Sequence, residues 1–370
     1  MYDVSLVFNI YFMLQRISIL LLVLAVACTN GRKDQLPDTT SMPAENPLHL
    51  IRFDKPTSGS LFTAGESIDI TIKLTDTIQP DSIVLYRNSV RIQKVSNLSF
   101  TLQTQAGKPG TIQLNATAWK DGRRQTASIS IKLKSNTKPA SYSYRIVKAY
   151  PHDPEAYTQG LFYHNGYLYE GTGQQGASSL RKVELETGKI LQSVNLSREY
   201  FGEGIAILDD KIYQLTWTNG TGFVYDAATF KPLNTFSYTT QGWGLTTNGN
   251  ELIMSDGSNT IYFREPSGFS ELRRIEVFDN NGPVKMLNEL EYIDGKIYAN
   301  VYLTDRIVII NPETGVVEGN IDMQGLLTTT QRTGKEDVLN GIAYDPNGKR
   351  IFVTGKLWGK LFQVEFIKKK

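Results

Sequence analysis

The chain has 370 residues, 40% hydrophobic and 11% aromatic, enough to build two or three cored domains. Thirty-nine basic side chains against 37 acidic ones leave a net charge of +2, which lacks the strongly basic face a nucleic-acid partner demands. The lone Cys28 and the scattered His49, His152 and His164 exclude a disulfide framework and any HExxH or CxxC ligand spacing, so no metal or other cofactor is expected.

The first feature in chain order is an apolar, uncharged run over residues 17–27, preceded by Arg16 and closed by small residues. It is too short for a comfortable membrane span and reads as a signal peptide. Cys28 follows at once, and Ala25-Val26-Ala27-Cys28 resembles a lipobox, although Leu24 stands four places before the cysteine rather than three. Residues 1–28 are therefore read as a lipoprotein signal peptide with lipidated Cys28, which places the protein on a membrane of the cell envelope. An ordinary signal peptide with a chance cysteine is the alternative, and Met13 is a second candidate start. Residues 29–46 are polar and contain Pro37 and Pro43, the composition of a flexible tether.

Residues 47–133 show alternating strands. In 67–74 the apolar positions Ile68, Ile70, Ile72 and Leu74 share one face. A turn is expected at Tyr86-Arg87-Asn88-Ser89 and a hairpin at Asp121-Gly122. The spacing predicts a small immunoglobulin-like β-sandwich, without evident chemistry and most simply a spacer. Residues 134–141 read as a second linker.

From 142 to 370 one phrase recurs: a short apolar strand, a turn on Asn, Asp or Gly, and a second alternating strand. It starts at Gly160, Gly204, Gly244, Glu289 and Gly341, at intervals of 44, 40, 45 and 52 residues. Between the phrases lies a second strand–turn–strand unit, as in 180–196 and 306–323. Two strands plus two make a four-stranded blade, and this period is that of a propeller. The fold class is thus all-β, a five-bladed β-propeller preceded by the sandwich. The last blade is one strand short, and residues 142–150 are expected to supply it and close the ring.

In a propeller the first strand of each blade lines the axis, and the loops at one end form the pocket. Several unusual residues stand at the phrase ends: Tyr157, Gln159, Gly160 and Leu161 before and within the first, Glu203 between two glycines before the second, Trp243 before the third, Asn288 before the fourth, and Trp217, Tyr302 and Lys356 at strand ends. Each has a plainer reading. A Glu at a loop–strand junction is usually solvated, the two Trp side chains suit a blade core, and Asn288 suits a turn. Gly355-Lys356 lacks the preceding glycine of a phosphate loop, so no nucleotide site is expected.

The strings YTQGL, FGEGI, LTW, GWGLT, IMSDGS, LNELEYIDGKIYANV and TGKLW, in this order between Tyr157 and Trp358, resemble the glutamine cyclotransferase family, the plant and bacterial type of glutaminyl-peptide cyclotransferase. The resemblance covers the whole repeat region. It implies a five-bladed propeller, no metal, and conversion of an N-terminal glutamine of a peptide or protein to pyroglutamate with release of ammonia. It implies that Glu203 is the catalytic carboxyl. It also implies a substrate pocket of Tyr157, Gln159, Gly160, Leu161, Trp217, Trp243, Asn288, Tyr302 and Lys356. Trp217 and Trp243 would wall the site, Gln159 and Asn288 would bind amide groups, and Lys356 would stabilise oxyanion charge or hold Glu203 ionised. Two positions depart from the family: Tyr302 stands where Trp is common and Tyr157 where Phe is common. The expected partners are peptides with N-terminal glutamine and, through the lipid, a membrane; the chain is expected to act as a monomer. The rival reading is a non-catalytic, envelope-anchored binding propeller, since fold does not dictate function.

Overall fold

The structure, a computed structural model, describes residues 49–75, 79–95 and 97–370. The signal run, Cys28 and the 29–46 tether lie outside the described residues. Apart from one short 3-10 turn, Thr329–Gln331, all the regular secondary structure among the described residues is β-strand. Among the described residues no helix is long and apolar enough to cross a membrane.

The first part is built from two sheets. Ile51–Lys55, Ser67–Leu74 and Ser99–Gln103 form a three-stranded sheet. Leu61–Thr63, Arg123–Lys134, Gly110–Lys120, Ser82–Arg87 and Val90–Lys94 form a five-stranded one. Period-two alternation decides the inner face: Ile68, Ile70 and Ile72 are buried while Ser67, Asp69 and Lys73 face outward. Across from them lie Ile112, Leu114, Ile129 and Ile131 of the larger sheet. The two expected hairpins form on pairs of left-handed residues, Asn88-Ser89 (φ 49° and 66°) and Asp121-Gly122 (φ 49° and 75°).

Residues 158–195, 202–237 and 245–276 then form three separate four-stranded antiparallel sheets in chain order. The remaining strands do not separate. Leu287–Ile293, Lys296–Val301, Arg306–Ile310 and Val317–Asp322 continue into Ala140–Pro151, Lys360–Lys368, Arg350–Gly355 and Leu339–Asp345 as one eight-stranded sheet. The cause is the length of Ala140–Pro151. Its residues 142–151 pair antiparallel with Lys360–Lys368, which supplies the strand that counting required. Its first three residues also pair in parallel with Gly319–Ile321.

The innermost strands Thr158–His164, Gly202–Leu208, Leu245–Thr247, Leu287–Ile293 and Leu339–Asp345 pack against one another in cyclic order. Glycine permits the closeness: a Cβ at Gly204 would meet the backbone N of Leu245, and one at Gly244 the carbonyl of Asn288. Two buried carboxyls staple the ring. Glu289 accepts Leu161 N–H at 3.2 Å and Ile342 N–H at 2.8 Å, and Glu291 accepts Tyr344 N–H at 2.8 Å and the Thr246 hydroxyl at 3.1 Å. They satisfy inner-edge donors that no strand partner reaches.

The first part docks on the outer strand of the third sheet, where Glu276 accepts Thr111 N–H at 2.6 Å and its hydroxyl at 2.7 Å. Ser135 is buried and donates its N–H to Asp279 O at 3.0 Å, so the 134–141 connection is tied down.

Candidate active site

The site begins with a backbone irregularity. In four of the five innermost strands the register against the second strand slips at the start: between Thr158 and Gly160, Gly202 and Ile205, Leu287 and Leu290, and Leu339 and Ile342. A bulge re-aims the side chain it carries. The residues inside the slips include Gln159, Glu203, Asn288 and Asn340, all buried and all polar.

Gln159 Nε2 donates to Glu203 Oε1 at 3.1 Å. Asn340 Nδ2 donates to the Thr158 carbonyl at 3.0 Å and approaches Gln159 Oε1 at 3.5 Å, which turns the Gln159 amide so that its NH2 meets the carboxyl. Burial pushes the Glu203 carboxyl well above the ordinary carboxylate range, against the opposing charge of Lys356. Lys356 is itself only 3% exposed, and burial pushes its ammonium below the usual lysine range while Glu203 and Asp337 resist. Each group is thus drawn toward its neutral form. The Lys356 Nζ lies 4.8 Å from the Tyr157 ring centre and 5.0 Å from that of Tyr302, so two aromatic faces take the place of water around the cation.

A collar of half-buried aromatic side chains surrounds this pair. Tyr157 meets Phe201 edge-on at 6.2 Å, and Phe201 meets Trp217 at 5.7 Å. Trp217 and Trp243 both donate their indole N–H to Gln241 Oε1, at 2.8 and 2.9 Å. Trp243 meets Tyr302 edge-on at 5.5 Å, and Lys356 joins Tyr302 back to Tyr157. The Tyr157 hydroxyl donates to Asp337 Oδ2 at 2.9 Å, which fixes that ring. Burial, with the Asp337 charge second, pushes the phenol far above its ordinary range, so it stays a donor.

The structure therefore brings together Tyr157, Gln159, Glu203, Trp217, Trp243, Tyr302 and Lys356. Asn288 holds the equivalent bulge position of the fourth strand, and its Oδ1 is buried without a hydrogen-bond partner, as is Asn340 Oδ1. Two expectations need correction. The Leu161 side chain lies in the core with Tyr150, Leu168 and Phe352, because alternation beyond the bulge turns it away from the ring. Gly160 contributes by absence, since a Cβ there would meet Ile205 N and Gly204 Cα. The indole N–H groups of the two Trp side chains, both held by Gln241, leave their rings as the wall.

Sequence reasoning passed over Phe201, Gln241, Asp337 and Asn340. Phe201 stood inside FGEG, and Asn340 in LNGI matches Asn288 in LNEL, so aligning the phrase starts would have found both. Nothing local marks Gln241 or Asp337. Asp256 is a turn residue, accepting Ser258 N–H at 3.0 Å and the Tyr262 hydroxyl at 3.0 Å. Among the described residues no group of His, Cys, Asp and Glu is arranged to hold a metal ion.

The sequence pattern of the glutamine cyclotransferase family matches residues 120–366. A protein of Arabidopsis thaliana named glutaminyl-peptide cyclotransferase is 42% identical over 224 residues, covering 60% of this chain and 70% of that one. The crystal structure of Myxococcus xanthus glutaminyl cyclase matches with a TM-score of 0.60 and 38% identity, covering 63% of this chain and all of that one.

Proposed function

The chain belongs to the glutamine cyclotransferase family and is an enzyme, and on that premise we propose that it converts N-terminal glutamine of peptides or proteins to pyroglutamate, with Glu203 as the proton carrier. The observation that carries this reading is one buried carboxyl, oriented by Gln159 and enclosed by aromatic rings.

In the reaction the α-amine nitrogen attacks the side-chain carboxamide carbon of the same residue. A C–N bond forms, the bond to the amide nitrogen breaks, and ammonia leaves. The attacking nitrogen must lose a proton and the departing one must gain it. Glu203, as carboxylate, takes the first and, once protonated, delivers the second; such transfer contributes roughly 10²–10⁴ in rate. Oε1 accepts from Gln159, so Oε2 is the oxygen that exchanges the proton. The α-amine, with an ordinary pKa of about 7.7–8.0, supplies a useful neutral fraction near neutrality. Lys356, desolvated between two rings, stabilises the oxyanion of the tetrahedral intermediate. The unpartnered Oδ1 atoms of Asn288 and Asn340 receive N–H groups of the substrate. The collar holds the glutamine folded, with its two ends together.

The architecture is read as a five-bladed propeller, 142–370, behind an immunoglobulin-like sandwich, 47–133. The cyclic packing of five innermost strands supports the first, and two facing sheets support the second. The apolar run before Cys28 supports a lipid-anchored protein of the cell envelope.

Incubating the full chain with a peptide that begins with glutamine should release one ammonia per peptide, read by mass. Glu203→Gln should abolish the release; unchanged release would remove Glu203 from the mechanism.

A further inference from the structure

Behind the site, outside the groups assigned to the reaction, two ionisable side chains are buried against each other. The side chains of His152 and Glu170 are 5% and 3% exposed, and His152 Nε2 lies 3.0 Å from Glu170 Oε1. His152 Nδ1 lies 2.6 Å from the Trp358 carbonyl oxygen. That carbonyl can only accept, so Nδ1 bears a proton. Glu170 Oε1 also receives the Thr158 hydroxyl at 2.7 Å, so the second ring nitrogen faces an acceptor too. The arrangement requires one proton between Nε2 and Oε1, carried by the ring as imidazolium or by the carboxyl.

The electrostatics agree with the geometry. Burial opposes a charge on His152, but Glu170 and the Trp358 carbonyl outweigh it and raise the imidazole above its ordinary range. Burial likewise opposes the Glu170 charge, and His152 and Thr158 outweigh it and lower the carboxyl. The other charges facing the pair are Asp153, which acts on His152, and Arg181, which acts on Glu170; these two are joined to each other at 2.7 Å.

A buried ion pair is a poor way to gain stability, since well-packed apolar replacements are often as good. Its placement points elsewhere. Thr158 precedes Gln159, the residue that orients Glu203. The Trp358 carbonyl ends the turn that carries Lys356, and in that turn Leu357 is held at φ 61°. A non-glycine residue keeps such a conformation only where its surroundings over-determine it.

We propose that the His152–Glu170 pair positions both walls of the site, setting the Gln159 bulge through Thr158 and the Lys356 turn through the Trp358 carbonyl. The inference rests on the cyclotransferase reading. Loss of the shared proton leaves a ring lone pair facing a carboxylate and loosens both walls at once, so the pair imposes a fall in kcat on the alkaline side.

The test uses the full chain and a peptide with N-terminal glutamine, with kcat and KM measured from about pH 6 to 10 and thermal midpoints alongside. Thr158→Val keeps the shape and removes the O–H. Its kcat should fall on the order of tenfold while KM stays within about twofold, the pattern of a misplaced group rather than a lost binding contact. Glu170→Gln can bridge neutral His152 and Thr158 without the extra proton, so its alkaline fall should move to higher pH. An unaltered chain that forms no pyroglutamate overturns the cyclotransferase reading and this inference with it. An active unaltered chain whose kcat is matched by folded Thr158→Val overturns this inference alone. Where Thr158→Val does not fold, an unmoved alkaline limb in Glu170→Gln overturns it.

Discussion

Replacing Lys356 by Met separates the electrostatic work of that side chain from its packing. The ammonium is 3% exposed and sits 4.8 and 5.0 Å from two ring centres. Removing it forfeits two cation–π contacts of about 0.5–2 kcal/mol each. In return a thioether gains sulfur–aromatic contacts of about 0.3–1.5 kcal/mol, and a charge that burial disfavours is gone. The lysine pKa is depressed on folding, so its charged form costs stability at pH values below that depressed value. These terms nearly cancel, and the thermal midpoint should move by no more than about 4 °C. Catalysis should not be spared. Loss of an oxyanion-stabilising donor typically costs about 10²–10³ in kcat. Lys356 also lowers the Glu203 carboxyl, so its removal raises that carboxyl further and moves the acid limb of kcat/KM to higher pH. Steady-state kinetics against pH, with melting curves on the same preparations, read all three effects. An unchanged kcat, or an acid limb that moves downward, would refute the reasoning.

Gly204→Ala drives a Cβ into Leu245 N and the Trp243 carbonyl, both backbone atoms that cannot swing aside. It should destabilise by about 1–3 kcal/mol or more, read as a lower urea midpoint with an unchanged slope. Glu291 is raised to about 8 by burial, above its ordinary value. Its neutral form is therefore favoured by folding, so its contribution is complete below about pH 4.5 and is lost as pH rises through about 8. Urea midpoints of the unaltered protein should fall between about pH 5 and 8, and Glu291→Gln should flatten that fall; parallel curves would refute the assignment.

Much of the fold was legible because its determinants are local. Ile68, Ile70 and Ile72 alternate, and alternation alone decides which face of a strand is buried. Asp121-Gly122 adopts the left-handed pair that a tight hairpin needs. The phrase starts at Gly160, Gly204 and Gly244 marked places where strands approach too closely for a Cβ. Leu161 was misplaced because neighbourhood in sequence says nothing of which way a side chain turns beyond a bulge. Asp337 and Gln241 were missed because their partners, Tyr157 and the two indoles, are chosen by the closing of the ring rather than by any pattern nearby.

The order of the strings and their repeat placed the chain in its family and singled out Glu203. The tertiary structure alone decided that Ala140–Pro151 joins two groups of strands into one sheet, that Asn340 turns Gln159 toward the carboxyl, and that His152 meets Glu170 behind it. The physical reason is the range of the forces. Alternation and turn geometry act over a few residues and are written in the order of the chain. Desolvation and hydrogen bonding between strands distant in sequence exist only once the ring has closed.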